Sequence, residues 1–216
     1  MSIVKIRTAL ENAVNAMDGL IPACAITSSA SGTVAVFTTS TNHGLTTGLS
    51  ITITGHIGST PALNGTYDCV VITANTFSLK HRVTKLAIAS TVGGTGGVVT
   101  ANLIAWENVA FIPVAGVPSQ RVQIVPSAPQ NPSFGGGLTR ELGFLQITLY
   151  YPVQFGTFDI MTRAELIKST FKRGSTFSFG GLTVNISSTG SIMSAAPEDE
   201  YFIVGVRMPY WCDVFN

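Results

Sequence analysis

The sequence predicts an α+β fold, a mixed or antiparallel sheet with two helices, interrupted by an all-β domain of small sandwich or barrel-like type. Three observations predict it. Charge nearly vanishes between Ala23 and Ala101: of 12 Lys/Arg and 11 Asp/Glu, only Asp68, Lys80, Arg82 and Lys85 fall there, among 25 Ser or Thr in 79 positions. Two segments outside that tract repeat their apolar residues at helical spacing, and residues 138–151 alternate with the period of a strand. With the tract excised, the flanks read as one unit. The expected division is therefore a discontinuous α+β domain, 1–22 plus 102–216, carrying an inserted all-β domain, 23–101.

Each element has its own warrant. Ser2 is placed to cap a helix from Ile3 to about Met17, with Ile3, Ile6, Leu10, Ala13, Val14 and Met17 on its apolar stripe and Gly19 and Pro22 ending it. Inside the tract, residues 33–38, 49–54, 66–72 and 75–80 alternate and are rich in β-branched side chains, as half-buried strands are. Asn42-His43-Gly44, Gly55-His56 and Asn64-Gly65 supply turns between them. A last pair, 87–92 and 97–100, flanks the glycine run 93–97, giving five to seven strands. Beyond the tract, 104–112 and 119–126 read as strands and Ser127 to Ser133 as a proline-rich loop before Gly135-Gly136-Gly137. Residues 138–151 are apolar on both faces, the mark of a central strand. A helix from Phe158 to Phe171 follows, with Arg163, Glu165 and Lys168 as its wet positions and Lys172-Arg173-Gly174 closing it. A hairpin over 176–187, turned at Gly180-Gly181, and a strand over 200–209 complete the chain.

Composition limits the function. Hydrophobic residues make up 45% of the chain and charged residues 11%, against about 25% charged in ordinary soluble domains. Such a surface is either covered in an assembly or solvated by Ser, Thr and Asn. A net charge of +1 argues against a dominant surface for nucleic acid or acidic membranes. No apolar run reaches the roughly 18 residues of a membrane span, and the N-terminal residues lack the pattern of a secretory leader, which predicts folding in a cytoplasm. Cys24, Cys69 and Cys212 are odd in number and widely spaced, as buried reduced thiols would be.

Motifs for chemistry are missing. No phosphate-binding loop and no Gly-x-Ser-x-Gly elbow occurs, and the run 93–97 opens a strand rather than a helix. His43, His56 and His81 match no metal-ligand spacing with Asp68 or Cys69 and are expected to be loop histidines. Cys69, inside an apolar strand, reads as an inert thiol. The expectation is no catalytic, cofactor or metal site. The cations Arg121, Arg140, Arg163, Lys168, Lys172, Arg173 and Arg207 are either scattered surface charge or contacts to a neighbouring subunit.

MSIVKIRTALENAVNAM (1–17), AWENVAFIPVAGVPSQRVQIVPSAPQNPSFGGG (105–137), the following strand, RAELIK (163–168) and RMPYW (207–211) occur in an order that resembles the tail terminator proteins of long-tailed bacteriophages. The resemblance spans about 135 residues, in essence the whole of the part outside the tract. It implies a structural virion protein at the head-proximal end of the tail, assembled in the host cytoplasm. Such subunits form a ring, a hexamer in the family, that caps the tail tube and ends its polymerisation. Its partners would be other copies of the chain, the tail tube protein and a head–tail connector or neck protein, with DNA only in transit and no membrane. The tract itself resembles small β modules of phage tail proteins, likened in fold to a half-domain of ubiquitin-activating enzymes, through NHGL (42–45), TGLSITITG (47–55), ALNGTY (62–67), NTFSL (75–79) and the glycine run. Shorter family members lack it, and an outward projection is expected of it.

Under that reading the loop Ser127–Gly137 is the expected contact with tube or neighbour: Pro129, Pro132, Phe134, Gly135, Gly136 and Gly137, with Phe134 as an anchor and Arg140 and Glu141 beside it. The composition of the loop is expected to forbid regular structure. Two other readings stay open. The chain could be another tail or neck subunit, such as a tube or head-completion protein, or its tract could bind host-surface glycans, although only Phe37, Tyr67 and Phe77 could offer a ring there.

Overall fold

The structure, a computed structural model, describes residues 2–17, 19–107, 109, 111, 113–132, 137–153, 156–193, 196–198 and 200–215. It is mostly β, with two helices. In chain order the elements are α1 (Ser2–Asn15), β1 (Cys24–Ala30), β2 (Val36–Thr39), β3 (Ser50–Thr54), β4 (Gly65–Thr73), β5 (Thr76–Lys80), β6 (Val98–Ala101), β7 (Ile104–Trp106), β8 (Ser119–Gln130), β9 (Leu138–Pro152), α2 (Phe158–Thr170), β10 (Thr176–Phe179), β11 (Leu182–Ile186), β12 (Ser191–Ile192), β13 (Ala196–Glu198) and β14 (Tyr201–Phe215). They fall into two compact units, Met1–Met17 with Ile104–Asn216, and Asp18–Leu103.

The smaller unit is a closed barrel in the order β1-β2-β5-β4-β3-β6. Inward positions alternate as the strand period requires: Ile51 and Ile53, Phe77 and Leu79, Phe37, Cys69 and Val99 are buried. Residues 87–92, expected as a strand, make only isolated bridges such as Gly32 with Ser90 and Thr60 with Val92. In their place β1 closes the barrel. Its sequence, CAITSSA, hides a strand because Ser28 and Ser29 interrupt the apolar alternation.

Two histidines lie in loops as expected, and both are buried, His43 at 3% and His56 at 2% exposure. They end a row of rings through the barrel: His43 edge-on to Phe77, Phe77 stacked on Phe37 at 5.3 Å, and Phe37 tilted against His56 at 5.1 Å. His56 joins three segments by hydrogen bonds. Its Nδ1–H donates to the Gly96 carbonyl (2.7 Å), its Nε2 accepts from Ser29 Oγ (2.9 Å), and Ser29 Oγ accepts from the Gly94 N–H (2.9 Å). Asn64 Oδ1 accepts the His56 N–H at 2.8 Å while Asn64 Nδ2 donates to the His56 carbonyl at 2.7 Å. The glycine run is where backbone segments cross closely. A Cβ on Gly94 would stand 2.5 Å from the Ile57 carbonyl oxygen and 2.6 Å from His56 Nε2, so only bare backbone can cross there.

In the larger unit a sheet runs β10-β11-β14-β9-β8-β7, with β12 and β13 also paired to β14. All of its pairs are antiparallel except β7 with β8. Both helices pack on one face. Ile6, Leu10 and Val14 of α1 and Ile160, Ala164 and Ile167 of α2 share a core with Leu145, Ile147 and Leu149 of β9 and Val204, Val206 and Met208 of β14. Burying each such large side chain stabilises the fold by about 1.5–3 kcal/mol. Gly143 interrupts β9 for a reason: a Cβ there would lie 2.5 Å from Tyr210 Oη and 2.6 Å from the Val125 carbonyl oxygen. The buried Tyr210 ring lies across it.

Several local expectations change. Ile3 is 50% exposed and not part of the stripe of α1. Ser2 is the first helical residue, and its Oγ bonds Glu141 Oε1 at 3.3 Å. Arg163, expected wet, is buried. Positions 160, 163, 164 and 167 share one helical face, so spacing carries Arg163 inward despite its charge. There its Nε and Nη2 donate to Gln120 Oε1 at 3.2 and 2.9 Å. Of the strand expected over 104–112, the described residues show Ile104–Trp106 in a strand; 108, 110 and 112 lie outside them. Ser127–Gln130, expected as loop, belong to β8 despite Pro126 and Pro129. β7 reaches only as far as Val122, so this stretch has β9 on one side, and an edge strand tolerates proline's missing donor. A register shift between Ser127 and Gln130 takes up the remaining misfit.

Two outcomes follow for stability and reactivity. Gly94→Ala and His56→Ala should each destabilise the protein by about 2–4 kcal/mol, through backbone overlap and loss of a buried network respectively; urea denaturation followed by the signal of the barrel measures it. All three cysteines are buried, and burial pushes the Cys69 thiol up to about 12. Ellman's reagent at pH 8 should find almost no thiol in the native protein and all three after denaturation.

Candidate assembly interface

The expected contact region lies where β8, β9 and β14 run on together. Tyr210 to Phe215 of β14 pair with Leu138 to Gly143 of β9, which pair in turn with Pro126, Ser127 and Gln130 of β8. Pro129 and Pro132 are exposed, and nothing stands within 4 Å of a Cβ built on Gly137. Phe134, Gly135 and Gly136 lie outside the described residues.

Arg140 and Glu141 do not act together. Consecutive strand residues point to opposite faces. Glu141 faces the helices, where its carboxylate accepts from Ser2. Arg140 faces the other way and donates through Nε and Nη2 to Asp213 Oδ1 and Oδ2, at 2.7 and 2.9 Å. This is a two-pronged pair. The same guanidinium lies over the Trp211 ring, 4.4 Å from its centroid. The hydrogen bond to Arg140 holds the Asp213 carboxyl below its ordinary range, and Asp213 correspondingly raises Arg140.

The register of β9 with β14 brings further residues to this face that were not singled out from sequence. Arg207 lies over the Phe144 ring at 4.2 Å and donates to Gln146 Oε1 at 3.1 Å. Trp211 stands opposite Leu142, Pro209 opposite Phe144, and Phe215, 79% exposed, opposite Leu138. Farther along, the face is covered: Met193 sits where a Cβ on Gly205 would be, and Tyr201 Oη donates to the Val114 carbonyl at 3.5 Å. Among the described residues, the half with Phe144, Trp211 and Phe215 carries no such cover. The only sequence signal for it was the RMPYW ending, because pairing across about 65 residues leaves no local trace.

Of the other cations, Arg121 is exposed on this face and Lys168 pairs with Glu165 at 3.0 Å. No three His, Cys, Asp or Glu side chains gather as metal ligands among the described residues. Among the described residues, no helix is long and apolar enough to cross a membrane. The geometry is that of a partly apolar sheet face edged by arginines that Asp213 and Gln146 hold in place.

A family model described as phage tail terminator protein matches residues 78–210. The chain belongs to the phage tail terminator family. The match covers α2 and most of the sheet, including Arg140 and Arg207, begins within β5 of the barrel and ends before Trp211 and Asp213. It makes the protein a structural component of a phage tail, in a family without enzymatic activity. A solved structure whose name states no function is 21% identical, covering 54% of this chain and 82% of that one, with a TM-score of 0.45; likeness at that level carries no argument. No curated protein matches the chain.

The Arg140–Asp213 pair has a signed pH dependence. A carboxyl whose folded value is depressed contributes stability above its unfolded value and loses it as pH falls through the folded one. Arg140→Gln should therefore lower Tm at pH 7, and the gap to wild type should close as pH falls below the carboxylate range, as followed by thermal melts across pH.

Proposed function

We propose that the chain is the subunit of a closed ring, a hexamer, that caps the tail tube at its head-proximal end. The ring ends tube polymerisation and offers a face to the head's neck or connector protein. The family match over residues 78–210 carries this reading. The mechanism is steric and interfacial. One ring face copies the end of a tube layer and binds it; the other lacks the tube's polymerising surface. DNA meets the ring only in transit.

Within this reading the half-open sheet face, with Arg140, Trp211, Arg207 and Phe144, is a contact surface toward tube or neighbouring subunit. The segment with Pro129, Pro132, Phe134 and Gly135 to Gly137 belongs to the same proposed contact. The fold is read as residues 1–22 plus 102–216 bearing the barrel, 23–101, as an inserted module that projects outward. The terminator work would then belong to the larger unit.

Electron microscopy of the purified protein should show closed six-fold rings, and long open tubes would sink the reading. A variant lacking residues 24–100, supplied to phage defective in the native protein, should still yield tails of normal length joined to heads. Tails of uncontrolled length from a folded deletion variant would show that the barrel takes part in termination.

A further inference from the structure

The charge of the barrel is gathered at one corner. Asp68 of β4 stands opposite Lys80 of β5, Lys85 Nζ reaches Asp68 Oδ2 at 2.5 Å, and Arg82 lies on the turn between them. These four are the only charged residues from 23 to 101. Elsewhere the barrel surface is electrically blank, rich in Ser and Thr. The same corner carries the two most exposed large apolar side chains among the described residues of this unit, Val83 at 82% and Leu86 at 69%. Residues 80–87 are exposed without a break.

This turn is held in shape. His81 Nδ1 accepts the N–H groups of Val83 and Thr84, both at 3.3 Å. The His81 N–H donates to the Leu86 carbonyl and the Lys85 N–H to the His81 carbonyl, each at 2.9 Å. Lys85 adopts φ +59°; every other positive-φ residue described in the chain is glycine. That conformation is unfavourable for a residue with a side chain, and here it delivers the ammonium to Asp68. An unusual backbone held by its surroundings points to a role for the surface it shapes.

We propose that this corner docks the barrel onto a second, different protein of the assembled tail, at a surface offering carboxylates around an apolar recess. The chemistry selects the partner. Val83 and Leu86 require an apolar counterpart, which a polyanionic chain lacks. After Asp68 is counted, a net charge of two remains, too little to hold nucleic acid by counterion release. Two aliphatic side chains with that charge make a weak membrane anchor, and no Phe, Tyr or Trp stands on the turn for a sugar to stack on. A protein surface supplies both halves, the carboxylates orienting the approach and the recess receiving the aliphatic tips. The inference rests on family membership and is independent of the ring.

Zero-length carbodiimide cross-linking of intact tails, read by peptide mass spectrometry, tests it. The Lys85–Asp68 contact provides an internal link that reports a native turn. The expected result is that Lys80 joins an Asp or Glu of another tail protein. Val83→Ser with Leu86→Ser, which keeps every lysine, should lower that yield about tenfold while leaving the internal link unchanged. If the double variant loses the internal link, Arg82→Glu takes its place, with the same fall expected. Finding only the internal link, links solely to other copies of this chain, or an unchanged yield in a variant with a native turn would overturn the proposal.

Discussion

The larger unit depends on one register. β9 and β14 pair from Leu138 opposite Phe215 to Pro152 opposite Tyr201. Because strand side chains alternate with period two, a slip of one residue would turn the helix-facing set outward and leave α1 and α2 without a floor. Several features fix it. Tyr210 can lie across β9 only at Gly143, and Arg140 can fork to Asp213 only when the two stand opposite. The same register decides which side chains share the outer face, since it sets Arg207 over Phe144 and Trp211 beside Arg140. Fold and candidate interface therefore follow from a single alignment.

The barrel solves a different problem with different means. It is small, and its strands are short and rich in Ser and Thr, so apolar burial alone gives it little margin. Closure removes sheet edges. Its irregular crossings are then fixed by polar side chains, with His56 joining Ser29, Gly96 and the amide of Asn64 in the interior. This explains why its recognisable sequence motifs are turns and glycine runs: NHGL, ALNGTY and the run 93–97 are where backbone must be gripped or let through.

Legibility followed the range of the interactions. Elements set by local period were readable: α2, the hairpin β10–β11, β3, β5 and β9 stand close to where alternation or helical spacing placed them. Errors arose where a distant partner decides. Arg163 looks solvated until Gln120 is brought beneath it, and the loop histidines give no sign of burial until the barrel closes around them. Ser127–Gln130 look irregular because proline argues against a strand, an argument that weakens at an edge. Arg140 was singled out as an expected contact residue, but its setting was not foreseen. Asp213 and Trp211 reach it only through a pairing some 73 residues apart.

Proline at the edge of β8 also bears on how such a subunit meets others. An exposed strand edge is a template for another strand, and subunits that join edge to edge can extend without limit. Beyond Val122, β8 has no partner on its outer side among the described residues, and there Pro126 and Pro129 each remove a donor. That stretch is poorly made for strand addition. The neighbouring sheet face, by contrast, offers rings and arginines held by Asp213 and Gln146. Contact through a face is limited by the shape it must match, whereas contact through an edge repeats. For a structural component of a phage tail that difference matters, and the two prolines put it into the covalent chain.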